Sequence, residues 1–135
     1  MDKTALYALK ASIKHWRENL AAAKAGAWEK VVIHGDACAL CLIYAQQHEC
    51  GECPVAKSDI GRSGCRRTPW IEVMQSLRNH PADFGGAEQT TIYWIEEELK
   101  FLLSLLPEGE SEELGVAERA ALEEAIRIEE EARYG

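Results

Sequence analysis

Five cysteines lie within 28 residues of this 135-residue chain, and none lies elsewhere. Two C-x2-C pairs, Cys38–Cys41 and Cys50–Cys53, are separated by eight residues, and Cys65 follows after eleven more. Two such pairs can place four thiolates around one tetrahedral ion. We therefore predict a structural zinc site formed by four of the five cysteines. Their spacing does not identify the spare one.

The residues around the cysteines suit metal binding. Cys38 falls in the first turn of a predicted helix over 37–48, where free backbone N–H groups favour a thiolate. Gly51 permits a tight turn inside the second pair. His48 shares a helix face with Cys41 and is a reserve ligand. An iron–sulfur cluster is the alternative to zinc, because four thiolates ligate both. Burial of the cysteines as small apolar residues is disfavoured by their paired spacing.

Three arginines, Arg62, Arg66 and Arg67, flank Cys65. They could contact the phosphate or carboxylate groups of a partner. The favoured interpretation is that they offset the negative charge of a four-thiolate site.

No catalytic constellation accompanies the cysteines. The chain contains no Gly-rich phosphate loop, no H-E-x-x-H and no G-x-S-x-G. His15, His34 and His80 lack a paired carboxylate or serine at motif spacing, and we predict structural roles for them. We expect no catalytic residues and a non-enzymatic protein.

Size and charge restrict the function classes. A 15.1 kDa chain with 47% hydrophobic residues is expected to form a single domain over 1–135. We expect no membrane span and no signal peptide, and therefore a reducing, cytoplasmic setting. Residues 1–80 hold 11 basic and 8 acidic side chains, whereas 81–135 hold 4 and 15. The acidic second half disfavours wrapping by nucleic acid.

Helical periodicity surrounds the cysteine region. Apolar residues spaced by three and four predict a helix over 3–25, with Asp2 as its cap and Gly26 as its stop. A β-branched run over 30–34 predicts a short strand or an extended linker. The stretch 49–68 has glycines, a proline and no periodicity, so we expect a loop ordered by metal. Thr68 and Pro69 are expected to begin the helical part, 69–107.

Two further helices complete the prediction. Apolar spacing predicts one over 87–106, and Ser111 is the expected cap of an acidic helix over 111–133. The apolar stripe of the acidic helix is mostly alanine: Leu114, Ala117, Ala121, Ala125 and Ile128. We therefore expect this helix to be dispensable for folding and to serve partner binding or homo-oligomerisation. The predicted fold is mainly α, a small helical bundle with a zinc-stabilised loop insertion.

The order of these features resembles small uncharacterised proteins of phage and prophage genomes. The motifs that carry the resemblance cover about residues 5–107: Ser12-Ile13-Lys14-His15-Trp16 with Asn19, Cys38-Ala39-Leu40-Cys41, Cys50-Gly51-Glu52-Cys53-Pro54-Val55, Cys65 with Thr68-Pro69-Trp70, and Phe101-Leu102-Leu103-Ser104-Leu105-Leu106-Pro107. The resemblance implies a phage origin and a metal site, and it implies no activity.

The sequence favours a zinc-stabilised interaction protein that binds an unidentified protein partner. A nucleic-acid-binding zinc module is a second hypothesis, through the arginines beside Cys65 and nearby lysines. An iron–sulfur or redox protein is a third, through the same cysteines.

Overall fold

The computed structural model describes residues 3–33, 69–79 and 88–134. These residues form four α-helices and one 3-10 turn: α1 (Lys3–Lys24), the 3-10 turn (Trp28–Lys30), α2 (Trp70–Asn79), α3 (Glu88–Ser104) and α4 (Val116–Tyr134). The expected mainly helical bundle is therefore confirmed for the part of the chain that is described. Residues 34–68, here called the cysteine segment, lie outside it, together with the helix expected over 37–48 and the loop expected over 49–68.

Helix α1 is the central element, because it packs on both α3 and α4. Of its predicted apolar stripe, Leu9, Ile13 and Trp16 are buried, whereas Leu6 and Leu20 are half-buried. Leu9 and Ile13 are fully enclosed. Burying a side chain of this kind contributes about 1.5–3 kcal/mol. The predicted stop is also confirmed. Gly26 has φ +77°, and the Ala27 N–H donates to the Ala22 carbonyl at 2.8 Å, which closes the helix end.

Beyond the 3-10 turn the chain runs in an extended conformation. Val31 has φ −79° and ψ 116°, and residues 31–33 have no regular secondary structure. Within the described ranges no strand pairs with them. Of the two predictions for this run, the linker is the one observed for residues 31–33, whereas Lys30 belongs to the 3-10 turn and residue 34 lies outside the described residues.

Helices α2 and α3 pack against each other. The Pro69 carbonyl accepts hydrogen bonds from the Glu72 and Val73 N–H groups, and α2 begins at Trp70. Pro69 therefore immediately precedes the helix, one position before the predicted one, and the predicted cap Thr68 lies outside the described residues. The side chain of Val73 is fully buried, and the hydroxyls of Ser76 and Thr91 are hydrogen bonded across the two helices. Within α3 the predicted stripe is buried at Ile95, Leu99 and Leu102. Ile92 is half-buried, and Leu106, also half-buried, lies beyond the end of the helix at Ser104.

The start of α4 corrects the prediction for Ser111. Its hydroxyl accepts a hydrogen bond from the Glu113 N–H, which makes a local turn, and the helix begins only at Val116. Gly115 is the residue before the helix. Its N–H donates to Oε1 of Glu118 at 3.1 Å, which is half of a capping box.

The buried face of α4 also differs from the predicted alanine stripe. Leu122, which was outside that stripe, is 4% exposed and belongs to the hydrophobic core. Ala117 and Ala121 are exposed, and Ile128 is 51% exposed. Other apolar residues pack against the core beside Leu122: Leu114 from the preceding linker, and Ala125 and Ile126 from α4. Alanines carry little apolar area, so their spacing did not determine which face is buried.

Candidate metal-binding segment and its anchors

All of the predicted metal ligands lie outside the described residues, as do the neighbouring arginines: Cys38, Cys41, Cys50, Cys53, Cys65, His48, Arg62, Arg66 and Arg67. Residues 3–33, 69–79 and 88–134 contain no group of three or more histidine, cysteine, aspartate or glutamate side chains that could hold a metal ion. Both attachment points of the cysteine segment are described, and their contacts are specific.

The chain entering the cysteine segment is held on α1 by Asn19. The Val32 N–H donates to Asn19 Oδ1 at 3.0 Å, and Asn19 Nδ2 donates to the Val32 carbonyl at 3.0 Å. Asn19 is 1% exposed, so its side-chain amide, which makes both hydrogen bonds, is shielded from solvent. A buried amide side chain without partners would be destabilising, and Val32 supplies them.

His15 strengthens the same attachment from one turn earlier in α1. Its Nε2 lies 2.6 Å from the Val32 carbonyl oxygen. Because a carbonyl oxygen only accepts hydrogen bonds, Nε2 of His15 must carry the proton in this contact. The contact agrees with the structural role expected for His15. His34 and His80 lie outside the described residues.

The chain leaving the cysteine segment returns to the same place. The indole Nε1 of Trp70, in the first turn of α2, donates to the Ile33 carbonyl at 2.9 Å. Residues 33 and 70 therefore meet across the whole 35-residue cysteine segment. Bringing together the ends of a loop has an entropic cost, which grows only slowly with loop length. Here the contacts of the helical bundle offset that cost.

These five residues form what we call the anchor cluster: His15, Asn19, Val32, Ile33 and Trp70. In the sequence, Trp70 and Asn19 belong to the motifs that carry the resemblance, and the sequence assigned neither of them a contact. One signal was present. Asn19 lies between Trp16 and Leu20 in α1, on the side that faces the core. A polar side chain in such a position requires hydrogen-bond partners.

A second polar cluster attaches α4 and its preceding linker to α1. Lys10 has a side chain only 5% exposed, and its Nζ lies 3.4 Å from Glu110 and 3.3 Å from Glu118. Burial opposes the charged form of Lys10, but hydrogen bonds and charge from the two glutamates outweigh it and raise its pKa. Arg17 of α1 forms a bidentate ion pair with Glu112, which lies in the same linker as Glu110.

Acid is expected to loosen this attachment through Glu118. A hydrogen bond from the Gly115 N–H, and then Lys10, lower the pKa of Glu118 below its ordinary value. A lowered pKa in the folded protein means that the stabilisation is present at neutral pH and is lost as pH falls through that value. The thermal stability of the wild-type protein should therefore fall between about pH 5 and 3.

Glu118→Gln tests this expectation. The variant should be less stable at pH 7 and should lose less of its melting temperature on acidification than the wild type. The matched control is Glu123→Gln, at an exposed position of α4. Parallel melting curves for wild type and Glu118→Gln over this pH range would contradict the assignment.

A cleft of about 450 Å³ opens between α1 and the linker that precedes α4. Its lining carries both signs of charge and one apolar side chain: Lys14, Arg17, Glu112, Glu113, Leu114 and Arg119. The outer face of α4 is acidic, and there Arg127 pairs with Glu124 and Glu131, which raises the pKa of the arginine. These are surfaces on which a polar protein partner can make ion pairs.

Comparisons of this chain with known protein families, curated proteins and solved structures find no match. Among the four helices described above, none is both long enough and apolar enough to cross a membrane. The anchor cluster and the charged surfaces are therefore the observations on which a function can be proposed.

Proposed function

We propose that the protein is a zinc-stabilised, non-enzymatic interaction protein of phage or prophage type that acts in the cytoplasm by binding a protein partner. Four thiolates from Cys38, Cys41, Cys50, Cys53 and Cys65 hold the ion, with His48 in reserve. The observation that carries the proposal is the anchor cluster, which holds both ends of the cysteine segment at one place on the bundle.

The anchor cluster supports a metal site for a physical reason. Zinc draws its sulfur ligands to about 2.3 Å, so a binding segment must fold back on itself. A segment with fixed, adjacent ends has fewer conformations to lose when it does so. Residues 49–68 contain few apolar side chains, so a metal would supply the stabilisation that a core does not.

The surface proposed for partner binding is the outer face of α4. Glu123, Glu124, Glu130 and Glu131 are exposed on this helix, and Ile128 is half exposed beside them. Carboxylates around an apolar side chain suit a basic protein surface with an apolar contact at its centre. Arg62, Arg66 and Arg67 are a second proposed contact surface, and a second copy of this chain is the alternative occupant of α4.

Metal analysis of protein purified without added metal tests the proposal. We expect about one equivalent of zinc and no visible absorption. Bound iron together with visible absorption would show that the site holds an iron–sulfur cluster and not zinc. Protein that is folded and free of metal would overturn the proposed site. Salt-dependent binding of oligonucleotides would show that the partner is a nucleic acid and not a protein.

Single Cys→Ser variants are expected to fall into two classes. Four of the five should lose most of the bound zinc and become less soluble, because each removes one thiolate from a closed site, and one should be mild. Zinc content per folded protein is the measurement, and Ser63→Ala is the control within the same segment. Mild effects at both Cys38 and Cys41 would contradict this ligand set and move the site to the remaining cysteines and His48.

A further inference from the structure

We propose that the cleft between α1 and the linker that precedes α4 binds a small organic anion, a single carboxylate carried on an apolar group. The inference does not depend on the proposed zinc site, because every residue that lines the cleft lies in α1, in the linker or in the first turn of α4. The volume of the cleft, about 450 Å³, is within the usual range of small-molecule sites.

The lining of the cleft carries an excess of positive charge in an acidic protein. Three of its side chains are basic and two are acidic, whereas the whole chain has a net charge of −8. The guanidinium of Arg17 is already occupied by Glu112. Lys14 and Arg119 remain, and within the described residues neither side chain forms a hydrogen bond or an ion pair. Only the carboxylate of Glu113 is left to offset these two cations.

The position of Lys14 on α1 shows that the cleft is formed in advance. Lys10, Lys14 and Arg17 are spaced by four and three residues, so they share one face of the helix. The outer two form ion pairs with carboxylates of the linker and of α4. These pairs hold the linker against α1 on either side of Lys14, so little ordering is required when a ligand binds.

Arg119 lines the cleft from the first turn of α4, and it is half-buried. The helix dipole makes this end of α4 positive, so the helix adds to the positive potential instead of neutralising it. An arginine that has lost part of its water, with no anion beside it, binds a carboxylate more strongly than a fully exposed one.

Charge and shape select the class of ligand. Because Glu113 leaves one positive charge in excess, a monoanion balances the cleft, whereas a phosphate monoester brings roughly two negative charges to it. Leu114 packs against the core and supplies an apolar wall. A carboxylate on a short apolar group therefore fits, either as a free acid or as the C-terminus of a peptide.

The experiment titrates the full, isotopically labelled chain and follows its backbone amides by NMR. The probes are hexanoate, for a free acid, and N-acetylleucine, for a peptide C-terminus. Hexanamide is the uncharged control, and hexyl phosphate is the control with the larger charge. We expect the carboxylates to shift the amides around residues 14 and 112–119, and hexanamide to leave them unchanged.

Charge variants test the assigned residues. Lys14→Gln and Arg119→Gln should each weaken hexanoate binding by about threefold to tenfold, because each removes one charge-assisted hydrogen bond. Glu113→Gln should strengthen it by about twofold to fivefold, because it removes the opposing carboxylate. Lys24→Gln and Arg127→Gln are the matched controls, since they remove the same charge from the same two helices outside the cleft, and they should bind as the wild type does. Circular dichroism verifies that each variant is folded.

Tighter binding of N-acetylleucine than of hexanoate would support the site and assign the carboxylate to a peptide C-terminus, and the reverse order would support it and assign a free acid. Unshifted amides with both carboxylates would overturn the inference. Equal binding of hexanamide, or tighter binding of hexyl phosphate, would overturn the class of ligand. Equal weakening in Lys24→Gln and Arg127→Gln would assign the effect to the overall charge of the protein and so overturn the site.

Discussion

On the proposed zinc function, a strong chelator is expected to unfold the cysteine segment and leave much of the helical bundle folded. Zinc binding contributes about 10–16 kcal/mol in small zinc modules, which is as large as the whole stability of a typical domain. The described residues form a core in which buried residues of α1 pack with buried residues of α3, among them Leu9, Ile13, Ile95 and Leu99.

Hydrogen exchange with and without chelator is the measurement. Amides of residues 34–68 should lose protection first, and amides within α3 should stay protected. Adding back zinc in excess of the chelator should restore the pattern, which controls for damage to the protein. An unchanged exchange pattern and melting temperature on chelation, in protein that contains no metal, would contradict the prediction.

Leu122→Ala is expected to destabilise the protein strongly, by about 2–4 kcal/mol. Leu122 is a buried apolar residue of α4, only 4% exposed, and truncating it leaves a cavity against the core. Ile128→Ala is the matched control on the same helix. Ile128 is 51% exposed, and its truncation should change the free energy of unfolding by less than about 0.5 kcal/mol. Urea unfolding measures both, and equal effects would contradict the assigned helix face.

The contacts of the acidic helix argue against the expectation that it is dispensable for folding, which stays a prediction to be tested. Truncation after Pro107 would remove Leu122 together with Glu110 and Glu118, the two carboxylates that neutralise Lys10. We therefore expect a truncated protein that is less stable than Leu122→Ala or insoluble. A truncated protein that unfolds at the wild-type urea concentration would restore the original expectation.

Local pattern was sufficient for α1 and α3. Their apolar residues are large and spaced by three and four, so periodicity alone predicted both the helices and their buried faces. The stop at Gly26 was predictable because a positive φ at a helix end favours glycine. Pattern was insufficient for α4, since alanine is a strong helix former but a weak marker of the buried side, and Gly115 is a less distinctive cap than Ser111.

The sequence by itself determined the helical class, the charge difference between the two halves and the concentration of thiols that predicts a metal site. Each of these depends on residue types and short spacings, which are local. Only the tertiary structure decided that Asn19 holds Val32, that Trp70 reaches Ile33, and that Lys10 lies between two glutamates. Each of these contacts joins parts of the chain that are far apart in sequence or belong to different elements. Their partners are therefore selected by how the helices pack, which no local spacing encodes.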